Sequence, residues 1–522
     1  MVTLARVGAE LNGVRAAVRA GMLGPLPPRA LAAAARAMRA YGPLGASTVL
    51  PALRFPDRTG LVDERGSLTF AELDRRCNAL ANAWRDHGVG VGDTVGILCR
   101  NHRGLLEAMA AAARTGASVL FLNTDFAGPQ LRDAVAREGV TALVHDEEYA
   151  PIVADLDLPR GTWSETGLEA LIGSGATTPP PAPARQGSMV ILTSGTSGRP
   201  KGAPRPQTRS VALPGGILSK IPLRSRGAVF VGPPLFHGLG LTSALLALGL
   251  GSTLVLRRRF DAATVLDDLA AHRCTALIAV PVMLNRLLAV PDLKSRDLSG
   301  LSVVLTGGAQ LEAPLARRVI EAFGPRLYNF YGSTEASCVT IATPADLAAA
   351  PGCVGRPPTG TTVRVLDDDG RPVPAGVIGQ IFVDGPARFG GYTGGGGKTE
   401  IGRLMAVGDL GHLDRAGRLF VDGRADDMIV SGGENVYPGE VEELLGAHPA
   451  VGEAAVIGVP DEEFGRRLRA FVVATGEVSE DDLKKHVAAN LARYKVPREV
   501  VFLDELPRNP TGKVLKRRLA EL

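Results

Sequence analysis

Two hydrophobic rhythms alternate along this chain. Runs at 189–192, 228–231, 276–280 and 303–305 are continuous in Val, Ile, Leu, Phe, Met and Ala, as strands buried on both faces require, and Asp93-Thr-Val-Gly-Ile-Leu98 reads as a further strand. Between them lie Ala-rich stretches with apolar residues three and four apart, the spacing of an amphipathic helix. One such stretch opens at Thr69-Phe-Ala-Glu-Leu-Asp74, where the threonine hydroxyl is placed to cap free backbone N–H groups. Strands alternating with helices predict parallel sheets from about residue 45 to 422. Past Gly423 the rhythm changes. Short strand-like runs at 453–459, 468–474 and 499–503 separate helical stretches at 438–445 and 479–492. The predicted fold class is α/β, with a large N-terminal domain of several subdomains over 45–422 and a small α+β domain over 423–522.

Two segments stand apart from this rhythm. In residues 1–44, Leu4, Val7, Leu11, Val14, Val18 and Met22 draw one apolar stripe on a helix, with Arg6, Arg15 and Arg19 off it. Such a helix packs on its own domain, which is the expectation, or rests as a basic amphipathic helix on a membrane surface. Residues 239–256 carry no charge over 18 positions and end on Arg257, Arg258 and Arg259. That length is at the low edge for crossing ~30 Å of hydrocarbon. Glycines at 240, 249 and 251 interrupt it, so a buried helix running into a buried strand is expected.

Composition narrows the function. A chain of 522 residues that is 45% hydrophobic and 21% charged is globular and exceeds one core. Its net charge of +4 leaves no nucleic-acid footprint. The charge divides unevenly: residues 423–522 hold 14 basic and 18 acidic side chains, so the body before them carries +8. Only nine lysines stand beside 49 arginines, which makes each lysine in a motif conspicuous. Five cysteines without CxxC spacing argue against a disulfide framework and a structural zinc site, and suit a reducing cytoplasm. The Pro-rich stretch 173–188 reads as a surface linker between substructures. The Gly-rich stretch 390–402, with four consecutive glycines at 394–397, reads as a loop that moves or approaches something closely.

The strongest chemical signal is Thr193-Ser-Gly-Thr-Ser-Gly-Arg-Pro-Lys-Gly202, directly after a predicted strand. Gly195 and Gly198 let the backbone turn its N–H groups inward. Thr193, Ser194, Thr196 and Ser197 add hydroxyl donors, and Lys201 adds a positive charge. Together these form a phosphate cradle. The residues flanking Lys201, Pro200 and Gly202, do not fit a Walker A loop. Further motifs follow in order: Pro234-Leu-Phe-His-Gly238, Thr306-Gly-Gly-Ala-Gln310, Asn329-Phe-Tyr-Gly-Ser-Thr-Glu335, Gly408-Asp409, Gly423-Arg-Ala-Asp-Asp427, Ser431-Gly-Gly-Glu-Asn435 and Pro510-Thr-Gly-Lys513.

In this set and order the chain resembles the acyl-adenylate-forming superfamily, which includes acyl-CoA synthetases, adenylation domains and luciferases, over about residues 45–522. The resemblance implies an ATP-dependent enzyme that activates a carboxylate as acyl-AMP, releases pyrophosphate and transfers the acyl group to a thiol. It implies that Thr193 to Lys201 hold the phosphates, that Thr334 contacts phosphate and that Glu335 holds Mg²⁺, for which a hard carboxylate oxygen is suited. Tyr331 offers a flat face to adenine and Asn329 an amide to its amine, with Gly308, Ala309 and Gly332 lining the ring. Asp409 accepts from the ribose hydroxyls, with Arg424 beside it. Lys513 bridges the substrate carboxylate and the α-phosphate, a task for a compact ammonium. Asp426 is the implied hinge of a mobile C-terminal domain, which presents Lys513 in one orientation and Ser431, Gly432 and Gly433, with a channel for CoA, in the other. His237 is implied as a gate between the acyl site and that channel.

The substrate is read from the presumed pocket. Residues 233–248 hold no Asp or Glu, which disfavours an amino acid, whose ammonium needs a carboxylate partner. Small and apolar positions there suit an alkyl or aryl acid. The basic, apolar N-terminus resembles that of fatty acyl-CoA synthetases, so a medium- or long-chain fatty acid with CoA as acceptor is expected. An aryl acid, and a fatty acyl-AMP ligase that loads a carrier protein, are the alternatives within this chemistry. A nucleotide sensor without catalysis is the alternative outside it.

Overall fold

Local signals set one long helix of the main domain. Thr69 accepts a hydrogen bond from the Glu72 N–H at 3.1 Å, and Glu72 accepts the Thr69 N–H at 2.7 Å. This reciprocal cap starts the helix Phe70–Asp86. The structure, a computed structural model, describes residues 4–193, 201–205, 210–424, 428–507 and 514–522, without the side chains of residues 4–6 and 517.

Two parallel sheets form the body. One runs in the order Gly161–Ser164, Ala142–His145, Thr94–Leu98, Ser118–Phe121, Met189–Thr193, Lys201–Arg205, parallel except for its last strand. The other has eight strands. Its six central ones, from Leu327–Ser333 through Val303–Gly307, Ala276–Ile278, Ala228–Val231 and Thr253–Val255 to Thr59–Asp63, are parallel, and an antiparallel strand closes each edge. The uncharged stretch 239–256 is the helix Gly238–Gly249 followed by the strand Thr253–Val255, both packed into the shared core. Among the described residues no helix is long and apolar enough to cross a membrane.

A third, antiparallel sheet includes Thr362–Leu366, Gly379–Asp384, Leu404–Leu413 and Leu419–Arg424. Its core residues Val363, Ile381, Met405 and Val407 close on Ala203 of the first sheet and on Ala336 and Val339 of the second. The three sheets therefore meet around the ends of the strands that carry the motifs. Beyond 428 lie a two-stranded hairpin, Ile429–Ser431 with Glu434–Val436, and a three-stranded sheet of Val451–Asp461, Gly465–Ala474 and Glu499–Phe502. Helices Pro438–Gly446 and Glu480–Asn490 pack against it.

Two segments differ from expectation. The Pro-rich stretch 173–188 joins two strands of the same sheet rather than two substructures. It is fastened along the helix Phe70–Asp86, where Asn78 and Asn82 donate to the carbonyls of Thr177, Ala176 and Thr178. The N-terminal helix Leu4–Ala20 packs on its own domain, but not through its large apolar stripe: Val7, Leu11, Val14 and Val18 are 40–56% exposed. It docks through Gly13, Ala17 and Ala20 instead, against the helix Ala212–Lys220. A Cβ on Gly215 would stand 2.2 Å from the Gly13 Cα. Backbone contact this close admits only small residues, which is why the larger side chains face outward.

Arg114 ties this N-terminal segment to the body. It is fully buried and donates to the Gly45 carbonyl at 2.9 Å, Thr48 Oγ1 at 2.7 Å and Asp74 Oδ1 at 2.6 Å. Arg114→Met leaves Asp74 without that buried partner. We expect a loss of about 3–5 kcal/mol, read as a lower urea midpoint for the large domain with its m-value unchanged. An unchanged midpoint would remove Arg114 as the tie.

Candidate active site

A cavity of about 2480 Å³ opens where the three sheets and the C-terminal domain meet. Thr193 and Lys201 pair across the last two strands of the first sheet, so the cradle loop connects one hairpin. Its residues Ser194, Gly195, Thr196, Ser197 and Gly198 lie outside the described residues. Thr193 Oγ1 donates to the Lys201 carbonyl at 3.3 Å. The Lys201 ammonium sits 5.7 Å from the centre of the Tyr392 ring.

The Tyr392 hydroxyl donates to Glu335 Oε1 at 2.7 Å. Burial, and then the Glu335 charge, push that hydroxyl well up, so it stays a donor. Glu335 is 8% exposed and its carbonyl accepts from Phe389 N–H. Arg205 donates to the Thr334 carbonyl. Its buried Nε has no partner among the described residues. Burial lowers Arg205 to about 10, partly offset by the Glu335 charge, so it remains a cation at neutral pH.

Asn329, Tyr331 and Gly332 come from the strand Leu327–Ser333. A Cβ at Gly332 would stand 1.8 Å from the Ser337 carbonyl oxygen, so the turn carrying Thr334 and Glu335 closes only on glycine. Asp409 and Arg424 face each other across adjacent strands, and Arg424 Nη1 donates to Asp409 Oδ1 at 2.6 Å. The Tyr331 hydroxyl donates to the other carboxylate oxygen. Gly308, with φ +81°, and Ala309 line the same cavity.

The C-terminal hairpin reaches into this site. Gly432 and Gly433 turn at φ +60° and +98°, a conformation that favours glycine. A Cβ on Gly433 would stand 3.7 Å from Val280 Cγ1 and 4.0 Å from the Gly308 carbonyl oxygen. Ser431, Gly432 and Gly433 line the cavity together with Tyr331 and Asp409. Glu434 Oε1 lies 2.6 Å from His237 Nε2. Burial alone would lower the His237 pKa. The Glu434 charge and hydrogen bond, with Asp125, outweigh it and hold it above the ordinary 6.5. Further contacts join the domains, among them Arg286 to Glu463, Gln130 Nε2 to Glu440 Oε1 at 3.0 Å and Arg493 N–H to the Asp125 carbonyl at 3.3 Å.

The structure thus brings together Thr193, Lys201, Gly308, Ala309, Asn329, Tyr331, Gly332, Thr334, Glu335, Asp409, Arg424, His237 and the Ser431–Gly433 tip. Asp426, expected as the hinge, and Lys513 lie outside the described residues. Sequence reasoning missed Tyr392, Arg205 and the partner role of Glu434. Glu434 stands inside a recognised motif and Tyr392 beside a recognised glycine run, but nothing local signals their partners. A separate buried cluster, Cys99, His102 and Asp146, is structural. The two His102 ring nitrogens are engaged by Gly104 N–H and Asp146, and burial keeps the Cys99 thiol protonated.

Comparison with known proteins agrees with this geometry. Residues 51–393 match the model of the AMP-binding enzyme family, and residues 440–513 that of the AMP-binding enzyme C-terminal domain. A feruloyl-CoA synthase from Amycolatopsis sp is 37% identical over 92% of this chain and 98% of its own length. An indoleacetate–CoA ligase from Aromatoleum aromaticum is 35% identical over 90% and 94%. Among solved structures, a double mutant of o-succinylbenzoate CoA synthetase from Bacillus subtilis, bound with its product analogue OSB-NCoA, is 29% identical over 91% of this chain and 98% of its own, with TM-score 0.83. The same enzyme in complex with its acyl-adenylate OSB-AMP fits less well, at TM-score 0.68 over 91% and 97%. The chain belongs to the AMP-binding enzyme family.

The His237–Glu434 pair has a pH signature. Because the His237 pKa is raised, the pair is fully formed below pH 6.5 and is lost as pH rises through the raised value. In Glu434→Gln, burial is opposed only by Asp125. We expect the His237 imidazole resonance, assigned with His237→Asn, to titrate at lower pH than in the wild type. An unmoved midpoint would show that the pair does not form in solution.

Proposed function

We propose that this member of the AMP-binding enzyme family activates an aromatic carboxylate with ATP and passes the acyl group to the thiol of CoA. The observation that carries this reading is the hairpin tip. Ser431, Gly432 and Gly433 lie against Gly308 inside the cavity lined by Tyr331 and Asp409. A pantetheine arm entering along the two glycines meets the site where an acyl-adenylate would sit. The better fit to the CoA-product form of the Bacillus enzyme than to its adenylate form supports the same orientation.

In the first half-reaction the substrate carboxylate attacks the α-phosphate and pyrophosphate leaves. Negative charge grows at that phosphate, and fixed cations and N–H donors there lower the barrier. The loop from Thr193 to Lys201 holds the leaving phosphates, and Lys513 neutralises the carboxylate and α-phosphate. Asp409 retains acceptor capacity for the ribose hydroxyls beyond the two donors it already binds. Glu335, a hard oxygen donor next to the cavity-lining Thr334, fits a role as the residue that would hold Mg²⁺. When bound, the ion neutralises phosphate charge. After rotation about Asp426, the thiol attacks the acyl carbonyl and AMP leaves. His237, held by Glu434, walls the acyl site from the thiol route.

The acyl end of the cavity carries no acid from 233 to 248, which suits an uncharged acyl body. The aromatic relatives favour an aryl acid over the fatty acid expected from the N-terminus, and lipid metabolism loses its support with it.

Pyrophosphate release from a panel of acids, with and without CoA, tests the reading. Release with aryl acids and thioester with CoA is the expected result. Release only with alkyl acids would restore the fatty-acid alternative, release without thioester would move the acceptor to a carrier protein, and no release would leave a sensor. Lys513→Ala should slow adenylation by orders of magnitude while thioester formation from supplied acyl-AMP stays nearly intact. Equal loss in both halves would remove its assigned role. Asp426→Pro should adenylate without forming thioester, and thioester at the wild-type rate would overturn the rotation.

A further inference from the structure

The helix Gly238–Gly249 borders the cavity along its whole length. Gly238, Leu241, Thr242, Leu245 and Gly249 all line it, and steps of three and four residues put them on one face. From the first to the last is about 16 Å of axial rise. His237, paired to the C-terminal hairpin, immediately precedes the first turn. The last turn therefore marks the end of the cavity remote from the thiol route.

Residues from before the family match line the same cavity, and Met22 among them stands at that remote end. Met22, Leu23, Met38 and Leu50 line the cavity with Leu213 and Ile217, and the match begins only at residue 51. Ser47 is the one polar residue that the segment 22–50 adds to the lining, and its hydroxyl is taken up by the Leu44 carbonyl at 2.6 Å. The segment is fixed in place. Arg54 Nη1 donates to the carbonyls of Gly21 at 3.0 Å and Met22 at 2.7 Å, and Ser225 N–H donates to the Ala20 carbonyl at 2.8 Å. Met22 Cε lies 3.1 Å from where a Cβ on Gly249 would stand, so the absence of a side chain at 249 leaves room for the methionine. Two of the wall residues are methionines, whose unbranched side chains adapt to different occupants.

We propose that residues 22–50 form the distal wall of the acyl site, and that the acid bound there is elongated, an aromatic carboxylate with an apolar extension that ends against Met22, Met38 and Leu50. This rests on the aromatic-carboxylate reading. A benzoate-sized acid would fill only the first turns of the Gly238–Gly249 face and leave the apolar end unused. Each methylene of a tail moved from water into that end gains binding in the transition state as well as in the ground state, so kcat/KM rises with tail length until the wall is reached.

The test measures kcat/KM by pyrophosphate release for 4-alkylbenzoates from methyl to octyl. In the wild type we expect a rise of about fourfold per methylene over the first members. Gly249→Leu, which drives a side chain against Met22, should reduce the octyl-to-methyl ratio by about tenfold or more. Leu245→Trp, on the same helix face, should do likewise and keeps the test in force should Gly249→Leu not fold. Met22→Ala should shift the optimum to longer tails. A series that is flat in the wild type, or a ratio that neither blocking variant changes, overturns the distal wall. Failure of every benzoate, including the methyl member, overturns the aromatic reading itself.

Discussion

Asp409 is the carboxylate at which the site is joined. It stands on the third sheet, accepts from Tyr331 of the second sheet, and accepts again from Arg424 at the edge of the segment leading to the C-terminal domain. A carboxylate only 7% exposed is tolerable because donors meet both oxygens. The same bonds fix the Tyr331 ring, the Asp409 carboxylate and the start of the domain connection relative to one another. Low dielectric strengthens each bond and raises the cost of losing any one.

The second constraint is the orientation of the C-terminal domain. The hairpin tip is inserted against Val280 and Gly308 through two glycines at positive φ. Charged contacts hold it from several sides: His237 with Glu434, and Arg286 with Glu463. The second is largely exposed and contributes little net stability. Hydrogen bonds from Gln130 to Glu440 and from Arg493 N–H to the Asp125 carbonyl, and Ala492 buried in a core of the large domain, complete the contact. The excess of positive charge in the body and of negative charge in the C-terminal hundred residues favours their meeting without fixing one geometry.

The glycine-rich stretch 390–402 shows how a loop without chemistry of its own serves a site. Thr393 N–H donates to the Gly202 carbonyl at 2.9 Å, and Tyr392 beside it touches both Lys201 and Glu335. Close approach, the second of the two readings of this stretch, is what the structure displays. The N-terminal segment presents a parallel case. Its large apolar stripe predicted one packing face, whereas a ridge of Gly13, Ala17 and Ala20 does the docking, because backbone proximity rewards small volume over hydrophobic area.

The sequence by itself determined the parts whose causes are local. Continuous apolar runs became strands within a residue or two, as with 228–231 and Ala228–Val231. Thr69 became a helix cap, and motifs each under a dozen residues long supplied residues that line one cavity. Only the tertiary structure decided which distant residues meet. Tyr392 and Glu335 lie 57 residues apart, His237 and Glu434 197 apart, and Arg205 and Thr334 129 apart. Periodicity reports which face of an element is buried, and capping reports where it starts. Neither reports the partner, because that choice is made by the packing of three sheets and two domains, where complementary volume and charge are compared across the whole chain at once.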